Sequence, residues 1–402
     1  MQKHHIAGVI ALVLVAYILG TASIYRALMS QRVAAVWDFY QLWYGAQVLL
    51  EQRDPYDPQI TLEMQQALYG RSALASEGQP AFYYPLPVLL LVMPLAFLPY
   101  PLAASAWLCL LLFAVVGAVA ATLWGIKWRA SAAGATGLAI WALALFPVLW
   151  SVLLGQVSVL LLLLLNIGLA AMLHRRDGLA GACLACSLFK PQLVYLLLPL
   201  VCMWVLVNRR WRLAATLIAT TMGLGAIAWL LLPMWPARFA ASLTTYAAIS
   251  PFDAPLQVLM NHDERWMVIG GALVAACLVL WLQAREQPDH LTWAMSATLV
   301  VSALVVPRIG MINQLILLWP AIAVTHQLWN QSSGGRVVTV LLLLAMAVIP
   351  WAIAATLTIP PGAYRYTAEH QAMSPLLPTV LLLAMLVLRL MPKRNAGRGV
   401  TS

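Results

Sequence analysis

Long apolar runs separated by short polar turns dominate the chain. Runs of about 17 to 25 apolar residues recur along its 402 positions, and a helix of about 20 residues crosses a hydrocarbon layer of about 30 Å. The pattern predicts an all-α polytopic membrane protein with about twelve transmembrane helices. Because no internal repeat, low-complexity linker or soluble segment interrupts the sequence, residues 1–402 are predicted to form a single transmembrane domain.

The number of crossings depends on one segment. Apolar segments are predicted at residues 6–25, 85–98, 102–124, 135–154, 157–173, 179–189, 193–207, 213–232, 266–282, 291–306, 312–328, 337–355 and 376–390. These are thirteen, whereas a cytoplasmic start and a cytoplasmic basic tail require an even number of crossings. Segment 85–98 is short and contains Pro87 and Pro94, so it is expected to enter and leave on one side. The alternative lets it cross and places Lys127 and Arg129 outside.

Long polar stretches are predicted to lie on the outer side of the membrane. They are the first extracytoplasmic loop, residues 26–84, and two further loops at 233–265 and 356–374. The basic end of the chain, residues 391–402, is predicted to be a cytoplasmic tail. Within the first loop, amphipathic pieces around 39–50 and 60–68 are expected to lie on the membrane surface as interfacial helices.

The distribution of charge explains the strongly basic balance of +10. Placing the basic turns in the cytoplasm satisfies the positive-inside rule, so the excess reflects topology and no nucleic-acid partner is expected. Ten of the thirteen carboxylates then fall on the outer face. With only 9% charged residues in the chain, the outer face is where polar chemistry is predicted.

Asp38 is the main catalytic candidate, because it lies in an aromatic segment close after the first helix. One interpretation is a solvated residue in an interfacial aromatic belt. In the other, Tyr40, Tyr44 and their aromatic neighbours offer a stacking wall for a sugar or acceptor, while the carboxylate accepts a proton from an attacking hydroxyl.

Three polar turns between apolar segments supply further candidates. They are GQVS (155–158), FKPQ (189–192) and PRIGMINQ (307–314). Lys190 either snorkels to the interface or, with Gln192, lines a polar cavity and contacts an anion. Arg308 is the second predicted phosphate contact, because its guanidinium can bind two oxygens at once. The same turns contribute Gln156 and Asn313 as candidate sugar or acceptor contacts.

Other polar residues have simpler interpretations. Cys183 and Cys186 have CxxC spacing but lie in an apolar segment, which favours packing over metal or redox chemistry. The cluster of residues 262–264 is expected to stay solvated rather than bind a metal. Asp54 and Asp57 are typical turn residues beside prolines, and Arg365 either contacts phosphate or sits among headgroups. No nucleotide-binding motif is present, so neither a nucleotide sugar nor ATP is expected as a substrate. A sugar donor is expected to be carried by lipid, and no metal and no cofactor is expected.

Four segments carry a family resemblance. They are DFYQLWYGAQVLLEQRDPYDP, FYYPLPVLLLVMPLAFLP, GQVSVLLLLLLNIGLAAML and AGACLACSLFKPQLVYLLLPL followed by RRWR. Their order and spacing resemble glycosyltransferase family 87, multi-spanning GT-C enzymes that use a polyprenyl-phosphate sugar, typically mannose, as donor. The likeness covers about the first 215 residues. Farther on, PRIGMINQ stands where members similar to the mycobacterial mannosyltransferases carry a serine, a tryptophan and paired histidines.

The resemblance implies a GT-C-like bundle in the bacterial inner membrane and an inverting hexose transfer on the extracytoplasmic side. It implies that Asp38 is the general base and that Gln156 and Lys190 lie near the donor, with a glycan or glycolipid hydroxyl as acceptor. Two other classes stay open. A lipid-linked sugar flippase or transporter predicts internal repeats with matching broken helices, and a non-catalytic assembly subunit predicts that Asp38 is replaceable.

Overall fold

A computed structural model describes residues 2–31, 36–74, 77–249, 253–284, 287–307, 309–356 and 373–390, and within these ranges the chain forms helices and no strand. The helices are α1 (Gln2–Gln31), α2 (Trp37–Leu50), α3 (Pro58–Tyr69), α4 (Leu89–Ala96), α5 (Tyr100–Gly125), α6 (Ala132–Ala144), α7 (Phe146–Leu153), α8 (Ser158–Leu173), α9 (Asp177–Ser187), α10 (Leu197–Val207), α11 (Trp211–Leu231), α12 (Trp235–Ile249), α13 (Pro255–Leu259), α14 (Arg265–Ala284), α15 (Pro288–Val305), α16 (Leu318–Gln331), α17 (Ser333–Thr356) and α18 (Leu376–Leu390). Short 3-10 turns cover Leu86–Val88, Pro191–Leu193 and Met311–Leu317. The all-α expectation is confirmed.

Fewer helices than expected are long enough to cross a membrane. Among the described residues, five qualify by length and composition: Ala11–Met29 within α1, and α5, α11, α14 and α17. Helices α6 and α7 would add a sixth as one broken span, bent by 67°. Several other predicted spans form shorter apolar helices, such as α8 and α10. The structure therefore confirms a multi-span helical protein but not the count of about twelve.

The core of the bundle is the packing of α5 against α8 and of α8 against α9. The Asn166 amide of α8 donates to the Thr122 hydroxyl of α5 (2.9 Å), which joins the two helices inside the apolar interior. Gly181 lets α9 approach α11 closely, because a Cβ there would lie 2.1 Å from the Thr216 hydroxyl oxygen. These contacts fix where the turns at either end of α8 and α9 lie.

The two ends of the bundle differ in chemistry. Helix α5 begins at Tyr100, whose hydroxyl donates to the carbonyl of Val36 (3.0 Å), two residues before Asp38. It ends beside Trp124, which stacks on His174 after α8 with ring centroids 4.6 Å apart. Basic residues of the turns follow at this second end: Lys127, Arg129, Arg175, Arg176, Arg209 and Arg210. With α5 about 39 Å long by its rise per residue, Asp38 and the basic turns are far apart.

The stretch predicted as the first outer loop contains two helices, α2 and α3, close to the pieces predicted around 39–50 and 60–68, and their place at the membrane surface stays a prediction. The Asp57 side chain caps α3 by accepting from the backbone N–H of Gln59 (2.8 Å), which is the turn role the sequence suggested. Helix α1 extends to Gln31, so this polar region begins later than residue 26.

Segment 85–98 packs along α2. The Trp43 indole donates to the carbonyl of Leu98 (3.2 Å), and the Gln47 amide donates to that of Ala96 (3.1 Å). Its helix α4 has 8 residues and rises about 12 Å, which is too short to cross a layer of about 30 Å. This geometry favours the arrangement in which the segment enters and leaves on one side.

The second predicted outer loop, 233–265, is largely helical and contacts the first. Arg238 of α12 forms an ion pair with Asp54 (3.3 Å), and Tyr246 packs against Tyr83 with ring centroids 5.1 Å apart. Helix α12 therefore lies against the polar region that contains Asp38. The third predicted loop, 356–374, and the tail, 391–402, lie almost wholly outside the described residues.

Candidate active site

The turn between α7 and α8 positions the start of α2. The backbone N–H of Asp38 donates to the carbonyl of Leu154 (3.1 Å). The next residue, Gly155, has φ 72°, and a Cβ there would lie 2.1 Å from Cγ1 of Val36. Only glycine fits this backbone and this approach. The Trp107 indole donates to the carbonyl of Gly155 (2.8 Å), so the turn is also anchored to α5.

A hydrogen-bonded cluster joins polar residues from three parts of the chain. The Gln156 side-chain NH₂ donates to the Asp38 carboxylate. The Lys190 ammonium donates to Oε1 of Gln156 (2.9 Å) and to the Ser158 hydroxyl (2.6 Å). That hydroxyl lies 3.4 Å from Oδ1 of Asn313. Four sequence candidates, Asp38, Gln156, Lys190 and Asn313, are therefore brought together, although the roles proposed for them stay predictions.

Burial sets the electrostatics of this cluster. Asp38 keeps some exposed surface, yet the surrounding protein raises the pKa of its carboxyl to about 6, while the Lys190 charge and the Gln156 hydrogen bond act in the opposite direction. Burial lowers the pKa of Lys190 to about 8, partly offset by the Asp38 charge. Both groups lie outside the long membrane-spanning helices. At neutral pH the carboxylate is ionised and the ammonium is charged.

Aromatic rings follow Asp38 along α2. Tyr40 and Tyr44 stack on each other with centroids 5.8 Å apart and an interplanar angle of 6°. Tyr40 also meets the edge of Tyr100 (5.0 Å). The Tyr44 hydroxyl donates to Glu63 of α3 (2.7 Å), which fixes this ring in place. Tyr40 and Tyr44 thus form a stacked pair that follows Asp38 on α2, and their contact with a sugar or acceptor stays a prediction.

The remaining candidates differ in how far the structure describes them. Gln192, in the turn after Lys190, is half-buried and makes no side-chain hydrogen bond to another described residue. Arg308, expected to bind phosphate, and Arg365 lie outside the described residues. A direct contact of Arg308 with the cluster is therefore still an expectation.

Two residues of the site were not among the candidates. Ser158 had a signal, because it is the one hydroxyl at the start of a helix that continues as a run of leucines. The sequence marked Tyr84 less clearly, because it is one of three consecutive aromatic residues. Burial and the charge of Asp38 together raise the pKa of the Tyr84 hydroxyl, which identifies Tyr84 as an electrostatic neighbour of the carboxylate.

The residues expected to be structural have structural contacts. Asp54 accepts from the backbone N–H of Tyr56 (2.9 Å), and Asp263 pairs with Arg265 (2.6 Å) on the surface. Cys183 and Cys186 lie one turn apart in α9 as free thiols. In the part of the chain that the structure describes, no group of three His, Cys, Asp or Glu side chains comes together as a metal site would require.

The cluster contains the kinds of groups that proton transfer requires. A carboxylate with some exposed surface and a pKa of about 6 has the protonation state and strength that a general base needs near neutral pH. The ammonium beside it has three donors, of which two are used internally, so one remains for an anionic oxygen. Fold and site together describe a multi-span helical protein with a cluster of acidic and basic groups at one end of its bundle.

Comparison with known protein families identifies the family to which the chain belongs. Residues 82–307, more than half of the chain, match glycosyltransferase family 87, and the chain belongs to that family. It is therefore a multi-pass membrane glycosyltransferase. The matched residues include Gln156, Ser158 and Lys190, whereas Asp38 precedes them. No curated protein and no solved structure matches the chain.

Proposed function

We propose that the enzyme transfers a hexose, mannose or another, from a polyprenyl-phosphate donor to a hydroxyl of a glycan or glycolipid acceptor, with inversion at the anomeric carbon. The acceptor oxygen forms the new bond to the anomeric carbon while the bond to the phosphate oxygen breaks. Asp38 takes the acceptor proton, and the lipid phosphate leaves with the bonding electrons. The observation that carries this proposal is the Asp38–Gln156–Lys190 contact inside a glycosyltransferase fold.

The binding roles follow from the same cluster. Lys190 has one donor free for a phosphate oxygen, and Arg308 is proposed as the second cation at the phosphate. Tyr40, Tyr44, Gln192 and Asn313 are proposed to contact sugar or acceptor. Two cations suffice for a lipid-phosphate leaving group, so the scheme uses no metal.

The proposed site lies on the extracytoplasmic side of the bacterial inner membrane. Support comes from the opposite placement of Asp38 and the basic turns along α5, because basic turns are typically cytoplasmic. The shorter apolar helices, such as α8 and α10, would complete a GT-C-like bundle of about twelve crossings together with the long spans.

The Asp38→Asn variant tests the reaction. Purified protein is incubated with a radiolabelled polyprenyl-phosphate mannose and a membrane extract as the source of acceptor. We expect turnover to fall by about a hundredfold or more with donor binding retained, because the general base is lost. The matched control is Asp263→Asn, which removes an exposed, ion-paired carboxylate and should leave transfer unchanged.

Other outcomes separate the alternative functions. Near-normal transfer by Asp38→Asn removes Asp38 from the role of base. If the native protein instead moves labelled donor across vesicle membranes without transferring sugar, the chain acts as a flippase. Absence of both activities, with cell-envelope glycolipids lost on deletion, identifies an assembly subunit.

A further inference from the structure

The side-chain amide of Gln156 lies between the two charged groups of the site. Its NH₂ donates to Asp38 and its oxygen accepts from Lys190 (2.9 Å), and the residue is only 5% exposed. Among the described contacts, Asp38 and Lys190 share this amide rather than a direct ion pair. Both ends of the Gln156 amide are thus engaged by charged partners, which leaves only its second N–H for any further contact.

The charges of Asp38 and Lys190 allow only one orientation of the Gln156 side-chain amide. If it were reversed, its oxygen would face the carboxylate and its NH₂ would face the ammonium, and both contacts would be repulsive. The Ser158 hydroxyl, 3.4 Å from Oε1 of Gln156, adds a second contact on the oxygen side. The position of Lys190 therefore determines which atom of Gln156 meets Asp38.

The backbone holds the amide and the carboxylate to the same turn. The N–H of Gln156 donates to the carbonyl of Ser151 (2.9 Å), and the N–H of Asp38 donates to that of Leu154 (3.1 Å). Both donors bind carbonyls at the C-terminal end of α7, so the backbones at positions 38 and 156 are held to the same turn.

An amide between the charges has a chemical advantage over a direct ion pair. An adjacent ammonium stabilises a carboxylate strongly and makes it a weaker base, whereas no partner at all leaves it protonated in a buried site. A neutral donor gives an intermediate stabilisation and leaves the carboxylate oxygen that it does not bind open to the acceptor hydroxyl. The ionisable groups acting on Asp38 in the described residues are Lys190 and Tyr84.

We propose that Gln156 is a positioning residue, which, held by Lys190, orients the Asp38 carboxylate and keeps it ionised for proton abstraction. This inference rests on the proposed function of Asp38 as the base. It assigns to Gln156 an action on the base in place of a contact with sugar, and it gives Lys190 a second task besides binding phosphate.

The test is the pH dependence of transfer by Gln156→Leu at saturating donor. Losing the amide donor disfavours the ionised carboxylate, so the acid limb should move upward by about one pH unit and the rate below that limb should fall about tenfold. An unmoved acid limb overturns the proposal, as would a change in KM alone, which is the signature of a lost sugar contact.

The matched control is Gln65→Leu. Gln65 is a similarly buried glutamine (6% exposed) whose amide is also bonded at both ends, to Gln79 (3.4 Å) and to the N–H of Ala73 (2.9 Å). It makes no contact with the cluster in the described residues, so its substitution should leave the acid limb in place. A shift in both variants would point to a general effect of removing a buried amide and would overturn the proposal.

A second variant covers the case in which Gln156→Leu does not fold. Lys190→Met removes the charge that orients the amide and should also move the acid limb upward, while Lys190→Arg should restore it in part. An acid limb that is the same in both Lys190 variants overturns the proposal. If Asp38→Asn loses transfer but the acid limb of Gln156→Leu does not move, this inference alone is overturned. If Asp38→Asn retains transfer, the proposed function is overturned.

Discussion

At the scale of single residues, the chemistry depends on how far burial shifts the pKa values of Asp38 and Lys190 toward 7. The pKa of Asp38 rises to about 6 and that of Lys190 falls to about 8, so their charged forms coexist in a window around pH 7. A carboxylate with a pKa of about 6 is mostly ionised at pH 7 and is a stronger base than an ordinary carboxylate, so it suits removal of a hydroxyl proton in the transition state.

This window predicts a bell-shaped pH profile for transfer. The rate should rise with pH through about 6, as Asp38 loses its proton, and fall above about 8, as Lys190 loses its charge. Initial rates measured from pH 4.5 to 9.5 at saturating donor check this. The residual rate of Asp38→Asn should lack the acid limb, and a flat profile between pH 5 and 7 in the native enzyme would contradict the assignment.

Sequence reasoning selected residues that lie together in the structure, but it did not predict their contacts. Asp38, Gln156, Lys190 and Asn313 could be selected because polar side chains are rare and conspicuous at turns between apolar runs. Which of them bind one another could not, because the contact between Asp38 and Gln156 joins positions 118 residues apart. Ser158 lies in the turn that the sequence singled out, but it was not chosen as a candidate because a hydroxyl at a helix start is more often a capping residue than a ligand.

At the scale of elements, helix positions were predictable and helix lengths were not. The piece expected around residues 39–50 is α2, and that around 60–68 is α3. The segment predicted as one span at 135–154 is broken at Leu145, which is extended with ψ 129°, and Pro147 lies in the first turn of the next helix. Hydropathy gives the extent of an apolar run, but a break inside it depends on local backbone geometry.

Replacing Gly155 is expected to reduce activity by more than the backbone strain of a non-glycine residue alone would. In Gly155→Ala, the new Cβ would lie 2.1 Å from Val36 Cγ1 and 2.8 Å from Phe39 Cβ, so α2 must shift away from the turn. We expect transfer to fall at least tenfold, because displacing a catalytic group by about 1 Å is costly. Steady-state rates and thermal unfolding of the purified variant measure this.

Gly70→Ala is the matched control for this turn. Gly70 has nearly the same backbone, φ 71°, but nothing lies within 4 Å of its Cβ position. The conformational cost of about 1 kcal/mol is then shared by both variants, and only Gly155→Ala adds the clash. Equal losses of activity in the two variants would mean that the approach of α2 to the turn is unimportant.

At the scale of the whole molecule, charge distinguishes the two ends of the bundle. The chain has 23 basic and 13 acidic residues, and the turns that follow α5, α8 and α10 concentrate basic residues away from Asp38. Arg210 and Asp177 pair there, with Arg210 also over the ring of Trp204 at 5.4 Å. The asymmetry makes the orientation of the protein in the membrane a consequence of its sequence.

This asymmetry predicts which end an impermeant reagent reaches in intact cells. Ser72→Cys places an exposed thiol after α3, near the Asp38 end, and Arg129→Cys places one after α5, at the basic end. A membrane-impermeant maleimide should label Ser72→Cys in intact cells and Arg129→Cys only after permeabilisation, since basic turns are retained in the cytoplasm. The native chain, whose described cysteines are buried or half-buried, gives the background. The reverse pattern would put Asp38 on the cytoplasmic side, and a donor presented on the outer leaflet could not reach it.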